Sequence, residues 1–267
     1  LYSISPNNNV SQGENVYAVD TQQSDLVLER DVTRNLKMLF ELYGIAHNKT
    51  YEIFGNADPS ALDIATVGPT FIYDARDNVF NPSRGFLSSI STEYSAPFLG
   101  SSKSVNYLKT ISSFTKYFPV GPFVLAQEIR GGYTANMDAG NGTTIPQVKA
   151  FVLGGRSTIR GFEVAESVPR LTDIRNGVSS SYNMFYLAKT ELRFSIFGNF
   201  GAALFYDGGH VEIPGYRQPN PWRDSVGIGL RYITPVGPVS LEYGYKLNRD
   251  IDRGEGPGAI HFSIGVF

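Results

Sequence analysis

The sequence predicts an all-β fold, a transmembrane antiparallel β-barrel of about 12 strands. Many segments alternate apolar and polar residues with the two-residue period of a strand. The chain of 267 residues contains no apolar run of the roughly 18 residues that a transmembrane helix requires. Short turns also alternate with long polar loops along the chain, as they do in bacterial outer-membrane barrels.

The composition argues against several classes of function. A formal net charge of −2 offers no basic face, so we expect no nucleic-acid partner. The chain has no cysteine, which removes disulfides and thiolate metal sites. Its three histidines, His47, His210 and His261, are scattered, and we therefore expect no metal and no cofactor.

Eleven strands are predicted from the alternation, with a further fragment near residues 1–5. They span 24–33, 37–48, 64–74, 85–96, 104–118, 121–134, 182–196, 200–210, 223–233, 238–247 and 259–267. The stretch VSLEYGYKL shows the pattern: Leu241, Tyr243 and Tyr245 lie on one face, and Glu242 and Lys246 lie on the other. Such strands present an apolar face to lipid and a polar face to a wet interior.

Aromatic residues crowd the ends of the apolar faces, where a membrane barrel carries its interfacial girdles. We assign to these girdles Tyr182, Phe185, Tyr186, Phe194, Phe197, Tyr232, Tyr243 and Tyr245. A soluble β-sandwich would show the same alternation of faces, but it has no reason to sort its connections by length. Here tight turns occur at 33–37, 118–122, 197–200 and 234–238, and long loops at 49–63, 135–181, 211–222 and 248–258.

The longest loop, 135–181, contains the stretch LGGRSTIRGFE at 153–163. A phosphate-binding loop is disfavoured because the glycine spacing is wrong and no helical pattern follows Gly161. A solvated extracellular loop is a second possibility, but it has no need for Ile159 and Phe162. A third is a loop folded into the lumen, in which Arg160 pairs with carboxylates on the inner wall. Strand parity points Glu191 and Asp207 inward, so they are the candidate partners.

Several motifs together resemble one family of barrels. GGRSTIRGFE is similar to its [V/I]-R-G-F signature, and FIYDARDNVFNPSRGFLSSISTEY to its D-x-R-D-N hairpin. YDGGHV, TPVGPVSLEYGYKL and the terminal IHFSIGVF resemble three further motifs in the family's order. The set spans about residues 64–267 and is similar to the outer-membrane protein assembly and two-partner-secretion superfamily, the BamA/TamA-like bacterial surface antigen barrels. The resemblance implies that acidic wall residues hold Arg160, which maps the partners to Glu191 and Asp207.

The sequence departs from the family pattern at its N-terminal side. The superfamily barrel usually has sixteen strands and follows periplasmic POTRA modules, whereas about 12 strands and no POTRA domain are predicted in residues 1–267. The expectation is one outer-membrane barrel domain over 1–267, with 135–181 as its lumen loop. It is either a fragment or a short member of the superfamily.

The site residues implied are structural and not catalytic. The loop motif comprises Ile159, Arg160, Gly161 and Phe162, facing Glu191 and Asp207 and supported by Gly154, Gly155 and Gly209. The terminal strand carries Phe262, Ile264 and Phe267, and Gly258 and Gly265 would weaken a seam beside it. The chain contains no G-x-S-x-G elbow, so we do not expect an enzyme.

The resemblance implies insertion or secretion of proteins at the bacterial outer membrane. The expected partners are outer-membrane lipid and lipopolysaccharide, client outer-membrane or secreted proteins, and periplasmic partner proteins. Two alternatives stay open: a passive channel plugged by 135–181, and a membrane anchor for an upstream patatin-like lipase domain.

Overall fold

The computed structural model describes residues 2–4, 8–12, 15–51, 61–163, 181–214, 222–235, 237–252 and 254–264. Its strands are β1 (Tyr2–Ile4), β2 (Asn8–Gln12), β3 (Asn15–Asp31), β4 (Leu36–Tyr51), β5 (Ala61–Asp74), β6 (Gly85–Ser95), β7 (Tyr107–Val120), β8 (Phe123–Asn136), β9 (Tyr182–Phe197), β10 (Phe200–Glu212), β11 (Arg223–Thr234), β12 (Gly237–Lys246) and β13 (Gly258–Ile264). Two short 3-10 turns, Pro97–Leu99 and Gln147–Lys149, are also present. No helix of the described residues is long and apolar enough to cross a membrane.

All pairings between strands are antiparallel, and each strand from β3 to β13 pairs with its neighbours in chain order. β1 and β2 both pair with β3, opposite residues 22–24 and 15–19 respectively, so the two short strands share one position in the sheet. The predicted all-β fold of about 12 strands is therefore confirmed. Within the described ranges β13 pairs with β12 alone, and the sheet is a partial barrel with two edges.

The predicted boundaries are wrong at the N-terminal end. β3 begins at Asn15 rather than at residue 24, and the strand at Asn8–Gln12 was not predicted. The cause is polarity on both faces: residues 20–25 read DTQQSD, so the alternation that marks a strand is absent there. Antiparallel pairing with β4 extends the strand through this polar stretch, with Thr21 opposite Asn48.

The two faces of the sheet have the predicted chemistry. Outward side chains on the last three strands are apolar and exposed in the absence of lipid, including Ile228, Leu230, Leu241, Ile260 and Phe262. Inward side chains on the same strands are polar and buried, including Arg223, Ser225, Ser240, Glu242 and Lys246. A sheet with an apolar outside and a polar inside suits a lipid environment.

Aromatic rings collect at the rim that carries the short turns. The rings of Phe197 and Phe200 pack at a tilt with 5.0 Å between their centroids, and the Phe200 ring lies 4.8 Å from that of Tyr232. Phe123 and Phe194 make an edge-to-face pair at the same rim. These rings form part of the predicted aromatic girdle.

Phe185 does not belong to that girdle. It is 5% exposed and faces inward, 4.7 Å from the ring of Phe151 in the long loop. The inward face of β9 changes from charged to apolar here because the loop packs against it. The resulting buried cluster fills the lumen near the long-loop rim and comprises Leu62, Ile64, Val105, Tyr107, Ile145, Phe151, Leu153, Ile159, Phe162, Phe185, Leu187, Val211 and Ile213.

The turn between β5 and β6 is organised by Asp77. Its Oδ1 accepts hydrogen bonds from the backbone N–H groups of Asn78, Ser83 and Arg84, at 3.0, 2.9 and 3.2 Å. Burial alone would raise the pKa of Asp77, but the hydrogen bonds from Ser83, Arg84 and Asn78 outweigh it and lower that pKa to about 2. The ionised carboxylate therefore stabilises the turn.

Asp77→Asn is expected to lower the free energy of unfolding by about 1–2 kcal/mol at neutral pH, because it weakens these charge-assisted bonds. The folded pKa lies below the ordinary value of 3.8, so the stabilisation is present above about pH 4 and is lost as the pH falls towards 2. Urea unfolding measured between pH 7 and pH 3 checks this. An identical acid slope in the wild type and the variant would contradict it, and Asp138→Asn at the opposite rim is the control.

Candidate functional site

The stretch 153–163 folds into a compact turn whose apex is Arg160. The Gly155 N–H donates to the carbonyl of Phe162 at 2.7 Å, and the Phe162 N–H donates to the carbonyl of Ile159 at 3.1 Å. Gly155 has φ of 88°, a left-handed conformation that favours glycine. Backbone hydrogen bonds close the turn, and the Arg160 side chain extends from it towards the inner wall of the sheet.

The guanidinium of Arg160 grips Asp207 of β10 in a bidentate pair. Nε donates to Oδ2 at 2.7 Å and Nη2 donates to Oδ1 at 2.8 Å. The backbone N–H of Arg160 also donates to Asp207 Oδ2, at 3.1 Å. Asp207 is fully buried and Arg160 is 3% exposed, so the pair is shielded from water. Two parallel bonds between planar groups fix orientation as well as distance.

The remaining nitrogen of the guanidinium, Nη1, joins two further strands. It donates to Glu191 Oε2 on β9 at 2.6 Å and to Glu242 Oε1 on β12 at 3.0 Å. The structure thus brings together Arg160, Glu191 and Asp207, the three charged residues singled out from the sequence. Glu242 is a third acidic partner that the sequence reasoning did not name, although strand parity had placed it on the polar face.

Three further residues of the wall contact the tip, and none of them carries a negative charge. The guanidinium carbon of Arg160 lies 3.5 Å from the centroid of the Phe205 ring, in cation–π contact. The carbonyl of Arg160 is 2.7 Å from Nε2 of His261, on the inward face of β13. The Gly161 N–H donates to Ser225 Oγ at 3.0 Å. The tip is therefore bonded to five consecutive strands, β9 to β13.

Three buried carboxylates around one arginine need additional cations. Arg193 and Arg231 each donate to Glu191 Oε1, at 2.7 and 2.6 Å. Arg156 donates to Glu242 Oε2 at 3.1 Å. These contacts form a charge network in which Glu191 and Glu242 each accept hydrogen bonds from several guanidinium groups. The shared bonds limit the free-energy cost of burying the two carboxylates.

Phe162 and Ile159 anchor the apolar side of the same turn. Both are fully buried and belong to the lumen cluster. The Phe162 ring lies 4.8 Å from the guanidinium carbon of Arg223 and 4.9 Å from Nζ of Lys246. An apolar anchor on one side and a charge network on the other fix the direction of the tip.

The glycines singled out from the sequence lie where the loop and the wall approach each other. A Cβ on Gly161 would come 2.4 Å from Ser225 Cβ, and one on Gly209 would come 2.6 Å from Leu153 Cδ1. The Gly154 N–H donates to Thr158 Oγ1 at 2.7 Å, within the turn. Gly244 on β12 was not predicted: a Cβ there would come 2.6 Å from the backbone of Arg160.

A second anchor lies higher in the lumen, near the long-loop rim. Lys149, in the same loop, donates to Glu93 Oε1 of β6 at 2.7 Å, and Tyr107 also donates to Glu93. Lys109 donates to the carbonyl of Lys149 at 2.8 Å. The loop is thus bonded to β6 and β7 at one place and to β9 to β13 at another.

The terminal strand lies partly within the described residues. Phe262 and Ile264 are 64% and 59% exposed on the outward face, and Gly258 begins β13. Phe267 and Gly265 lie outside the residues that the structure describes. Within the described ranges no group of three or more His, Asp or Glu side chains is arranged to hold a metal ion.

Comparisons with known proteins show which family the chain matches. The Omp85 superfamily domain matches residues 2–267. Among curated proteins the chain is similar to outer membrane protein assembly factor BamA of Nitratidesulfovibrio vulgaris, with 24% identity over 85% of this chain and 28% of that protein. It is also similar to BamA of Neisseria meningitidis, with 26% identity over 65% of this chain and 25% of that protein.

A chloroplastic relative and a solved structure extend the comparison. Outer envelope protein 80 of Arabidopsis thaliana is 26% identical over 44% of this chain and 15% of that protein. The crystal structure of BamA from Haemophilus ducreyi lacking POTRA domains 1–3 superposes with a TM-score of 0.67 and 18% identity, covering 92% of this chain and 53% of that chain. The chain spans about a quarter of the length of the two BamA relatives.

The family match covers nearly the whole chain, and the superposition shows the same barrel fold. The bacterial relatives are outer-membrane proteins, and the exposed apolar face of the sheet suits that location. The chain therefore belongs to the Omp85 superfamily and is a bacterial outer-membrane β-barrel protein.

Proposed function

We propose that this chain is the barrel of a machine that assembles proteins into the outer membrane. The observation that carries the proposal is the match of the Omp85 superfamily domain over residues 2–267, together with relatives named as outer membrane protein assembly factors. Residues 1–267 would form one barrel domain, with 135–181 as its lumen loop. The barrel would use binding and strand pairing rather than covalent chemistry.

Client proteins would engage the edge of the sheet at β13. Within the described residues that strand pairs with β12 alone, so the N–H and C=O groups along its other edge can accept an incoming strand. Outer-membrane lipid and lipopolysaccharide would surround the exposed apolar face, and periplasmic proteins would deliver unfolded clients.

The loop tip would keep the wall intact while that edge is in use. Arg160 bonds directly to β9, β10 and β12, and its carbonyl reaches His261 on β13. Such cross-strand bonding inside the lumen does not depend on ladder hydrogen bonds at the edge. The wall can then hold its curvature while β13 exchanges partners.

Reconstitution tests the proposal. The purified protein in liposomes is expected to speed the folding of an unfolded outer-membrane barrel client, measured by the client's heat-dependent gel mobility. Protein-free liposomes and liposomes with an unrelated barrel are the controls. An unchanged folding rate, in the presence of the protein's periplasmic partners, would contradict an assembly function.

The channel alternative makes a different prediction. A passive pore needs an open lumen, whereas the buried cluster around Phe151, Leu153 and Phe162 fills the lumen near the long-loop rim. Single-channel recordings are therefore expected to show little steady conductance. Stable large conductance would support the channel instead. A role as the anchor of a lipase domain stays a prediction of the family resemblance.

A further inference from the structure

A cavity of about 380 Å³ lies between the loop tip and the short-turn rim. Arg156, Ser157 and Arg160 close its inner end. Val79, Phe80 and Pro82 of the β5–β6 turn line it at the rim. Since short turns of outer-membrane barrels face the periplasm, the cavity belongs to the periplasmic half of the lumen. Its inner end is shut off from the long-loop side by the packed cluster.

The lining of this cavity is strongly cationic. Seven of its residues carry a positive charge: Arg76, Arg130, Arg156, Arg160, Lys189, Arg193 and Arg231. Three carboxylates share the lining, Glu128, Glu191 and Glu242. Asp74 and Asp207 pair with Arg76 and Arg160 from behind it. Seven cations thus face five carboxylates, and the cavity carries excess positive charge.

The carboxylates present are already shared among several cations. Glu191 accepts from Arg160, Arg193 and Arg231. Glu242 serves Arg156 and Arg160, with Arg231 at 3.5 Å. Within the described part of the chain, the buried Nε of Arg231 has no hydrogen-bond partner. Donors in this cavity therefore outnumber the acceptors that serve them.

Such a site has the chemistry of an anion receptor. Guanidinium groups bind phosphate and carboxylate oxygens with two parallel hydrogen bonds. Walls of low dielectric constant focus the field of like charges into the cavity and raise the local concentration of anions. The volume lies at the lower end of the roughly 300–1,000 Å³ of small-molecule sites, which suits a free ion better than a polypeptide segment.

We propose that this cavity binds a small, multiply charged oxyanion, a phosphate or a polycarboxylate, that enters from the short-turn end. The anion would contact Arg130, Arg193 and Arg231 and supply the acceptors that Glu191 and Glu242 cannot. It would strengthen the wall that seats the loop tip. This binding does not depend on the proposed assembly function.

Thermal unfolding in a neutral detergent tests the site. Inorganic phosphate and citrate are each expected to raise the unfolding midpoint of the purified protein in a saturable way. Sodium chloride at the same ionic strength is expected not to do so. Isothermal calorimetry then gives the dissociation constant of citrate. Equal stabilisation by chloride would overturn the proposal, because it would show general screening.

Two substitutions of opposite sign localise the effect. Arg130→Gln removes one cation that pairs with Glu128, and the citrate dissociation constant is expected to rise about tenfold. Glu128→Gln removes a competing carboxylate and is expected to tighten binding. Arg249→Gln, an exposed arginine outside the lumen, is the matched control. If Arg130→Gln fails to fold, Glu128→Gln decides whether the cavity is the site: a lower citrate dissociation constant supports it, and a higher one overturns it.

A further arm separates a free ion from a lipid headgroup. Phosphatidic acid mixed into the micelles, without free phosphate, is expected to leave the midpoint unchanged, because the cavity lies on the inward, polar face of the sheet and not on its lipid-facing side. Stabilisation by phosphatidic acid alone would overturn the free-ion proposal. An unchanged citrate affinity in both cavity variants would overturn the site.

Discussion

Arg160→Ala is expected to lower the free energy of unfolding by about 3–5 kcal/mol and to abolish the native gel mobility of the barrel in warm SDS. The substitution leaves Asp207, Glu191 and Glu242 buried around a vacated position, and all three had accepted hydrogen bonds from that side chain. The cost comes from uncompensated buried charge more than from the lost bonds. Urea titration of the folded protein and heat-dependent mobility measure it.

Two comparisons make this prediction specific. Arg156→Ala removes one bond to Glu242 from a side chain that is 23% exposed, and it is expected to cost about 1 kcal/mol. Arg160→Lys keeps the charge but cannot form the two parallel bonds to Asp207. Its free energy of unfolding should therefore lie between those of the wild type and Arg160→Ala. If Arg156→Ala were the more damaging change, Arg160 would not be the main anchor.

Gly244→Ala is expected to unseat the loop tip by steric overlap. The new Cβ would come 2.6 Å from the carbonyl carbon and oxygen of Arg160 and from the nitrogen of Gly161. Backbone atoms inside a closed hydrogen-bonded turn cannot rotate away as a side chain can. The whole tip must move, which would lengthen its bonds to the wall and cost about 1–3 kcal/mol.

The matched control for this change is Gly131→Ala on β8. A Cβ there would lie 3.5 Å from the carbonyl oxygen of Phe185, an ordinary contact. The free energy of unfolding should therefore change little. Urea unfolding and the folding rate of a client in liposomes are measured for both variants. Equal behaviour of Gly244→Ala and Gly131→Ala would contradict the close contact between tip and wall.

Much of this arrangement could be predicted from strand parity. A two-residue period fixes which side chains of a strand face the lumen, so it places Glu191 and Asp207 inward without any knowledge of their partner. The glycines, arginines and large apolar residues in 153–163 then indicate that this loop contacts Glu191 and Asp207. The structure also orders the strands as the chain does, which is usual for barrels.

The part played by Glu242 could not be predicted because it depends on a gap in the wall. Glu242 lies on β12, two strands away from Asp207 on β10. Between them, the inward positions of β11 opposite Phe205 and Glu242 are Gly227 and Gly229. Without side chains there, one guanidinium spans the distance across β11. Sequence parity identifies inward acids but not the separation between them.

The predictions for Phe185 and for the N-terminal strands are wrong for different reasons. Strand parity places Phe185 and Leu187 on the inward face, but the loop residues Phe151 and Leu153 that cover them make a tertiary contact, which has no trace in the strand's own period. β3 is polar on both faces over residues 20–25, so its pairing with β4 reveals that stretch as strand, and β1 and β2 are revealed by their pairing with β3. Local pattern cannot supply either fact.

A double-mutant cycle on Arg160 and Asp207 tests most directly whether the loop tip is held by its charge pair with the wall. Unfolding free energies are measured for Arg160→Ala, Asp207→Ala and the double variant, with Arg160→Ala and Asp77→Asn as a distant control pair. We expect a coupling energy of at least about 1 kcal/mol for the first pair and additivity for the second. Additive effects of Arg160→Ala and Asp207→Ala would show that this charge pair does not hold the loop tip.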